Sequence, residues 1–300
     1  MDSTSSLGEV DALITVASWE ERFTKGFNNL VRSKKPTRVL AFYFEEYYKW
    51  SEQNVEGAKI LCESLGVAIE TVALSMSEPG STWKKLNDWV MSIPADTKEL
   101  CLDITTMPRE TIWELLYIIK QRLRNVHVTY TYYKPGNYGD WLSAEPGRPR
   151  LVYRMSGIIK LGTPTTLLIL TGFDVDRTKR LVRMYEPQQV ILGLQIGEQF
   201  GNEVKNIKKH KEAFTRDKKI IMFEGNQYDP NEIKSKIVDE LTPFKNTNIV
   251  LSSLGPKPGA IGIYKAYVSN PELAISYAPS GQYNKEYSEG LGDLFEGEVT

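Results

Sequence analysis

The chain has 300 residues and a formal net charge of −1, from 37 basic and 38 acidic side chains. This length suits two domains, and the charge balance excludes a polycation that wraps nucleic acid by charge alone. Two cysteines and two histidines exclude a disulfide framework and a histidine-rich metal site, so we expect no metal and no cofactor. The apolar runs are too short to span a bilayer and no basic signal-peptide start is visible, so we expect a cytoplasmic protein without a membrane partner.

Residues 1–10 are small and polar, and we expect a flexible N-terminal tail. After them, apolar segments typical of buried strands alternate with segments whose apolar residues recur at helical spacing. The predicted strands are 12–16, 38–44, 67–74, 99–104 and 126–133, and the predicted helices are 20–31, 54–65, 83–91 and 109–123. This alternation predicts a mostly parallel, doubly wound α/β sheet. The Gly- and Pro-rich stretch 134–149 is predicted to be a loop.

The second half repeats the first in three pieces that keep the same order. In each half a strand leads through a polar loop with an acid–arginine pair into a helix, and a later strand leads through a small polar loop with a proline–base pair into another helix. The third piece is the final strand of each half, which runs into a loop that contains Gly and Tyr. The matching pairs are Glu21-Arg22 with Asp176-Arg177, and Pro108-Arg109 with Pro256-Lys257. We therefore predict two tandem Rossmann-like units related by internal duplication. The predicted ranges are 11–150 for unit 1, 151–164 for a connector and 165–300 for unit 2, which we expect to be the shorter one between 201 and 249.

Ligands of open parallel sheets bind beyond the carboxyl ends of the strands, which directs attention to the loops there. The loop 103–109 is the strongest candidate, because it precedes a helix whose amides can hold an anion and it carries two threonine hydroxyls and an arginine. The alternative is that the threonines only cap the helix, with Pro108 in its first turn. The candidate ligand-binding residues are Ser18, Trp19, Arg22, Asp103, Thr105, Thr106 and Arg109 in unit 1, and Gly172, Asp174, Arg177, Ser252, Ser253, Gly255 and Lys257 in unit 2.

Other residues admit two interpretations each. Trp19 beside acids and an arginine is suited to stacking on a base, whereas Ser18 is equally suited to capping a helix. A catalytic role stays unassigned, with the carboxylates of Glu20, Glu45 and Asp103 as candidates. The basic segment 205–219 is interpreted as a solvated helix face, so direct nucleic-acid binding is the minority hypothesis.

The two histidines are expected in different settings. His127 lies in a predicted strand and is expected in the core. His210 lies in the basic segment and is expected to be exposed.

The loop Asp103-Ile104-Thr105-Thr106-Met107-Pro108-Arg109 resembles the ligand loop of the CRISPR-associated Rossmann fold (CARF) family, which typically reads Asp/Asn-x-Thr-Gly-Gly-Thr-Lys. It keeps the acid, the threonine and the terminal base, and it lacks the glycine pair. The second unit keeps Ser253, Gly255 and Lys257 but lacks the acid. The resemblance implies a cyclic-oligonucleotide ligand, which this family binds across a two-fold dimer interface; two fused copies would form such a pocket within one chain. It also implies control of an effector, here a separate protein.

These observations favour a nucleotide or cyclic-oligonucleotide sensor of a prokaryotic defence or signalling system that acts through a separate partner protein. One alternative is a metal-independent nucleotide-processing enzyme, either a phosphodiesterase or a glycosidic-bond hydrolase that uses a carboxylate. A second alternative is a structural subunit of a defence complex. The ligand's base and ring size, and whether the chain forms a homodimer, stay open at this stage.

Overall fold

The computed structural model describes residues 8–123, 125–139, 141–197, 202–214, 220–286 and 288–299. Residues 1–7 of the predicted tail and 215–219 of the predicted basic segment lie outside the described residues. The chain divides into two units, of which unit 1 contains Met1–Trp141 and Asn284–Thr300, and unit 2 contains Leu142–Tyr283. No described helix has the length and apolar character needed to cross a bilayer.

Unit 1 is an α/β unit built around a six-stranded sheet. Its strands are β1 (Ala12–Val16), β2 (Arg38–Phe44), β3 (Ala68–Leu74), β4 (Glu99–Asp103), β5 (His127–Tyr138) and β14 (Ser288–Glu298). Its helices are α1 (Glu21–Lys34), α2 (Tyr48–Ser64), α3 (Pro79–Met91) and α4 (Arg109–Arg122), with a short 3₁₀ turn at Glu45–Tyr47. All five residues of β1 are buried, as expected for a central strand covered on both faces.

Unit 2 has the same kind of architecture. Its strands are β6 (Ser143–Pro146), β7 (Arg150–Leu151), β8 (Thr165–Leu170), β9 (Gln189–Gln195), β10 (Ile220–Gly225), β11 (Asn248–Ser253), β12 (Ala274–Tyr277) and β13 (Ser280–Tyr283). Its helices are α5 (Val175–Tyr185), α6 (Asn202–Phe214), α7 (Pro230–Leu241) and α8 (Pro258–Ser269), with a 3₁₀ turn at Thr242–Phe244. Strands β6 and β13 form a separate two-stranded sheet.

The two large sheets have the same order of parallel strands. The first runs β14-β5-β4-β1-β2-β3 and the second runs β7-β12-β11-β8-β9-β10. In each sheet the sixth strand is antiparallel, β14 against β5 and β7 against β12. The predicted Rossmann-like α/β fold class is therefore confirmed, whereas an evolutionary duplication stays a prediction.

Strand register aligns individual residues of the two units. Ile14 of β1 pairs with Leu102 of β4, and Leu168 of β8 pairs with Leu251 of β11. Ala17 and Thr171, the residues that follow β1 and β8, each donate their amide to the neighbouring strand, to Phe42 and Gly193 respectively. With these positions matched, Asp103 of unit 1 corresponds to Ser252 of unit 2, and each is followed six residues later by the first residue of a helix, α4 or α8.

Several features differ from the sequence expectation. The chain returns to unit 1 at its end, because β14 pairs along β5, so unit 2 does not extend to residue 300 as predicted. The predicted connector 151–164 lies inside unit 2, and the predicted loop 134–149 contains the end of β5 and the strand β6. The segment expected to be short in unit 2 holds β10 and α7, which match β3 and α3.

Candidate functional site

The candidate site of unit 1 lies where the strand order reverses. From β1 the chain continues to β2 on one side of the sheet, and it later returns to β4 on the other side. The loops that follow β1 and β4 therefore leave the same edge from neighbouring strands, which is where ligands bind in open α/β sheets. The side-chain hydroxyl of Thr106 donates to the carbonyl oxygen of Val16 at 2.5 Å, so these two loops are in direct contact.

Asp103 lies beneath this edge rather than on its surface. Its side chain is buried and accepts hydrogen bonds from the hydroxyl of Thr15 at 2.8 Å and from the amide of Thr105 at 3.0 Å. These bonds compensate the carboxylate for the loss of water. Asp103 therefore shapes the loop, and this arrangement leaves a catalytic role for it without support.

Thr105 continues the same network towards β5. Its Oγ1 accepts a hydrogen bond from the amide of Tyr133 at 3.0 Å. The carbonyl oxygen of Tyr133 in turn accepts from Nη1 of Arg22 at 3.0 Å. Thr105 and Thr106 thus fix the loop to both neighbouring strands, so their hydroxyls have a structural role in addition to any role in binding.

Glu20 and Arg22 form a buried ion pair at the start of α1. Oε2 of Glu20 lies 2.6 Å from Nη2 of Arg22 and also accepts from the hydroxyl of Ser288 at 2.6 Å. Burial alone would lower the pKa of Arg22, but the adjacent Glu20 carboxylate raises that pKa above its ordinary value. Both side chains, predicted to serve ligand binding or catalysis, therefore connect α1 with β5 and β14.

Arg109 occupies the first position of α4. The preceding Pro108 has no side chain that can cap the helix, and the only acidic residue of the first turn is Glu110. Arg109 is partly exposed and stands at the first position of a 14-residue helix. The free backbone amides at the start of a helix and an arginine side chain both favour the binding of a phosphate or a carboxylate.

Three aromatic rings lie beside this edge in unit 1. The ring centroid of Trp19 is 5.2 Å from that of Tyr47 and 5.1 Å from that of Trp50. The indole N–H of Trp19 donates to the carbonyl oxygen of Lys285 at 3.0 Å, which fixes the ring. Ser18 does not cap α1 with its side chain; its Oγ accepts from the amide of Glu20 at 3.2 Å. The cluster thus offers a partly exposed aromatic surface on which a base could stack.

Glu45 is set apart from the other candidate carboxylates. Its side chain is exposed in the 3₁₀ turn after β2, and its Oε1 lies 3.4 Å from Nζ of Lys85. Its neighbour Glu46 accepts hydrogen bonds from Ser75 and Ser77 and holds the loop after β3.

In unit 2 the corresponding positions keep an acid and an arginine near α5, but a serine stands in place of the buried aspartate. Asp174 caps α5, because its Oδ1 accepts from the amide of Arg177 at 3.0 Å. Arg177 is buried and donates to the carbonyl oxygen of Ala278, which is the counterpart of the bond from Arg22 to Tyr133. Ser252 donates from its Oγ to the carbonyl oxygen of Ser276 at 2.9 Å.

Two glycines allow the loops of unit 2 to touch. A Cβ atom on Gly172 would lie 2.0 Å from the carbonyl oxygen of Leu254, and one on Gly255 would lie 1.8 Å from Oε1 of Gln227. Gln227 is fully buried and donates from its amide nitrogen to the carbonyl oxygens of Thr171 and Gly193. Both glycines therefore serve loop packing at this edge, which is a structural role.

Sequence reasoning missed Gln227, because it overlooked the strand β10 that places it. Within the described residues, Oε1 of Gln227 and Oγ of Ser253 are buried without a hydrogen-bond partner. Such atoms are uncommon in native proteins and mark positions that merit a functional test. Lys257 precedes α8 and corresponds by register to Pro108, so it stands one position before the counterpart of Arg109.

The histidines and cysteines offer little for catalysis in either unit. His127 is partly exposed, with Nδ1 at 2.7 Å from Glu99, whereas His210 is fully buried, with Nε2 at 3.1 Å from the Thr178 hydroxyl. Both placements are the reverse of the expectation.

Burial raises the pKa of the Cys62 and Cys101 thiols to about 11, so both are protonated at neutral pH. Among the described residues, no group of three His, Cys, Asp or Glu side chains is placed to hold a metal ion.

No protein-family model matches the chain, and no curated protein matches it. Among solved structures, it is similar to the cytoplasmic domain of a prokaryotic cation chloride cotransporter, at 11% identity over 91% of this chain and 96% of that chain, with a TM-score of 0.28. It is also similar to a sugar-binding protein of a sugar ABC transporter from Bacillus halodurans, at 12% identity over 90% of this chain and 73% of that chain, with a TM-score of 0.29. These TM-scores are too low to support an argument about function.

Proposed function

We propose that the protein binds a nucleotide or cyclic oligonucleotide at the carboxyl edge of the unit 1 sheet and acts as a sensor for a separate partner protein. The observation that carries the proposal is the start of α4, where Arg109 and the first-turn amides follow a loop that buried hydrogen bonds hold at Thr105 and Thr106. A loop held in this way is suited to binding an anion without being reordered first.

The aromatic cluster of Trp19, Tyr47 and Trp50 supports a nucleotide in preference to a free anion. The hydrogen bond between Thr106 and Val16 joins the loop of α4 to the end of β1, directly before the loop that carries Trp19. A phosphate at the start of α4 and a base on the aromatic rings would use both elements. Stacking of a base on an aromatic ring typically contributes about 1–3 kcal/mol.

The environments of the three candidate acids favour a sensor over an enzyme. Glu20 accepts hydrogen bonds from Arg22 and Ser288, and Asp103 accepts them from Thr15 and a backbone amide. Glu45 is exposed to solvent. Glu20 and Asp103 therefore use their carboxylate oxygens to hold the chain in place, and Glu45 lies apart from them beside Lys85.

The role in a prokaryotic defence or signalling system belongs to the same proposal. It follows from the resemblance of the loop 103–109 to the CARF loop.

A thermal-shift screen tests the proposal. The panel contains ATP, cyclic GMP, cyclic di-AMP and cyclic tri- and tetra-adenylate, with inorganic tripolyphosphate as the control for charge alone. All six tryptophans lie in unit 1, so their fluorescence follows the unit that is proposed to bind. A ligand at 100 times its Kd stabilises the folded state by about 2.7 kcal/mol.

We expect at least one nucleotide to raise the melting temperature more than tripolyphosphate does, and chromatography to recover it unchanged. If no nucleotide shifts the transition, the binding proposal is wrong. If the recovered ligand is converted, the protein is an enzyme.

A further inference from the structure

A cavity of about 430 Å³ lies in unit 2, at the end of its sheet where β11 begins. It opens between the carboxyl ends of α7 and α8, beside the beginning of β11. Its apolar wall includes Ile237, Leu241, Ala266 and Leu273, which are at most 7% exposed. The volume falls within the range of about 300–1,000 Å³ that is usual for small-molecule sites.

Unit 1 has a tyrosine at the position of the wall residue Ala266. The ninth residue of α4 is Tyr117, whose ring centroid lies 5.7 Å from that of Trp83, the fifth residue of α3. At the same positions of α8 and α7, unit 2 has Ala266 and Lys234. The cavity therefore coincides with the replacement of a large ring by a methyl group in an otherwise matching framework.

The rim of the cavity carries an excess of one positive charge. Nζ of Lys160 lies 3.5 Å from Oε2 of Glu272, so these two charges offset each other. Lys245 is exposed and makes no ion pair within the described ranges. A helix end normally attracts cations through its free carbonyl groups.

Here that attraction is weakened at both helix ends. The carbonyl oxygen of Ala266 accepts from the amide of Asn270 at 3.1 Å, and that of Val238 accepts from the hydroxyl of Thr242 at 2.9 Å. Lys245 is therefore the main charge available to a ligand at this rim.

We propose that this cavity is a second ligand site, which binds a small amphiphilic monoanion with its apolar body against Ala266 and its anionic group near Lys245. The apolar part of the wall favours an apolar ligand body, because burying polar groups against it without hydrogen-bond partners is costly. The lysine selects an anionic over a cationic head group. This site is independent of the nucleotide site proposed for unit 1.

Fluorescence titration with 8-anilinonaphthalene-1-sulfonate, an aromatic monoanion, tests the proposal on the whole chain. The wild-type protein should enhance its emission, and decanoate should displace it more strongly than decyltrimethylammonium does. Ala266→Phe should weaken binding at least tenfold by filling the cavity. Lys245→Gln should weaken it about two- to fivefold, as expected for an exposed charge pair. Lys265→Gln is the matched control, because Lys265 is on α8 outside the cavity and donates to Asn231.

Circular dichroism checks that the variants fold. If Ala266→Phe does not fold, Ser269→Phe at the exposed mouth replaces it, with the same expected loss. Binding that survives the filling variant, equal displacement by decanoate and the cationic amphiphile, or no emission change with the wild-type protein would each overturn the proposal.

Discussion

The two units share one order of parallel strands but have different chemistry at their carboxyl edges. Unit 1 buries a carboxylate at the end of its central strand β4 and an ion pair at the start of α1, each with hydrogen-bond partners. Unit 2 has Ser252 at the position of Asp103 and closes its edge with two glycines and a buried glutamine. The same framework therefore supports an edge with a buried aspartate and ion pair and an edge with a serine in place of that aspartate, and the loop residues decide which of them is suited to a phosphate.

The largest expected effect is the loss of stability when Arg22 is replaced, compared with the loss when its counterpart Arg177 is replaced. Arg22→Met should destabilise unit 1 by about 3–5 kcal/mol, because it leaves Glu20 buried without its partner. Urea unfolding followed by tryptophan fluorescence measures this change in unit 1, where all six tryptophans lie, and far-UV circular dichroism follows the unfolding of unit 2. Arg177→Met is the matched control in unit 2 and should cost less, about 1–3 kcal/mol, because Arg177 bonds a carbonyl and makes no ion pair in the described part of the chain. Equal costs would contradict the difference between the units.

Loop packing in unit 2 provides the second test. Gly172→Ala should destabilise that unit by about 1–3 kcal/mol, since the added Cβ would lie 2.0 Å from a backbone oxygen that cannot move aside easily. Far-UV circular dichroism during urea unfolding measures the change. Gly57→Ala is the control, because Gly57 lies in α2 with open space around it and alanine favours a helix by about 0.5–1 kcal/mol. A neutral effect of Gly172→Ala would show that the loops are not closely packed.

The single histidine of each unit makes stability depend on pH, and we expect the effect to be smaller than those above and opposite in sign in the two units. Hydrogen bonding to Glu99 raises the pKa of His127. The protonated His127 therefore stabilises unit 1 below about pH 6.5, and this stabilisation is lost as the pH rises through the pKa of His127 in the folded state. Burial lowers the pKa of His210, so the unfolded state binds the proton first and unit 2 loses stability as the pH falls below about 6.5. Hydrogen exchange resolved by unit, at pH 7.5 and 5.5, measures both.

We expect His210→Asn to reduce the loss of unit 2 stability in acid and His127→Asn to leave it unchanged. A loss that persists in His210→Asn would assign the pH dependence to other groups.

Much of the fold could be predicted from the sequence, because the central strands are apolar and the helices have regular spacing. The buried runs 12–16 and 165–170 are of this kind, and both are strands. Strand β14 could not be found in this way, since its sequence SEGLGDLFEGE is polar and rich in glycine. Its position depends on long-range contacts such as the 2.8 Å ion pair between Lys34 and Glu296.

The sequence predicted where the loop of the candidate site lies, but it did not predict the structural roles of the side chains around it. The loop 103–109 does lie at the reversal of strand order, where the alternation of strands and helices placed it. The sequence could not show that Arg22 and Asp103 point into the protein, because their partners, Tyr133 and Thr15, are 111 and 88 residues away. Gln227 was missed for the same reason, since its place depends on the undetected β10.

Direct titration of Arg109→Ala tests the central claim, that the start of α4 in unit 1 holds a phosphate. The ligand is the nucleotide that gives the largest shift in the thermal screen, and isothermal titration calorimetry measures its Kd. A charge-assisted hydrogen bond contributes about 1.5–3 kcal/mol, so Kd should rise at least tenfold, with no change in the melting temperature of the ligand-free protein. Arg122→Ala, at the other end of α4, should leave Kd unchanged. An unchanged Kd in Arg109→Ala, or an equal loss in both variants, would contradict the claim.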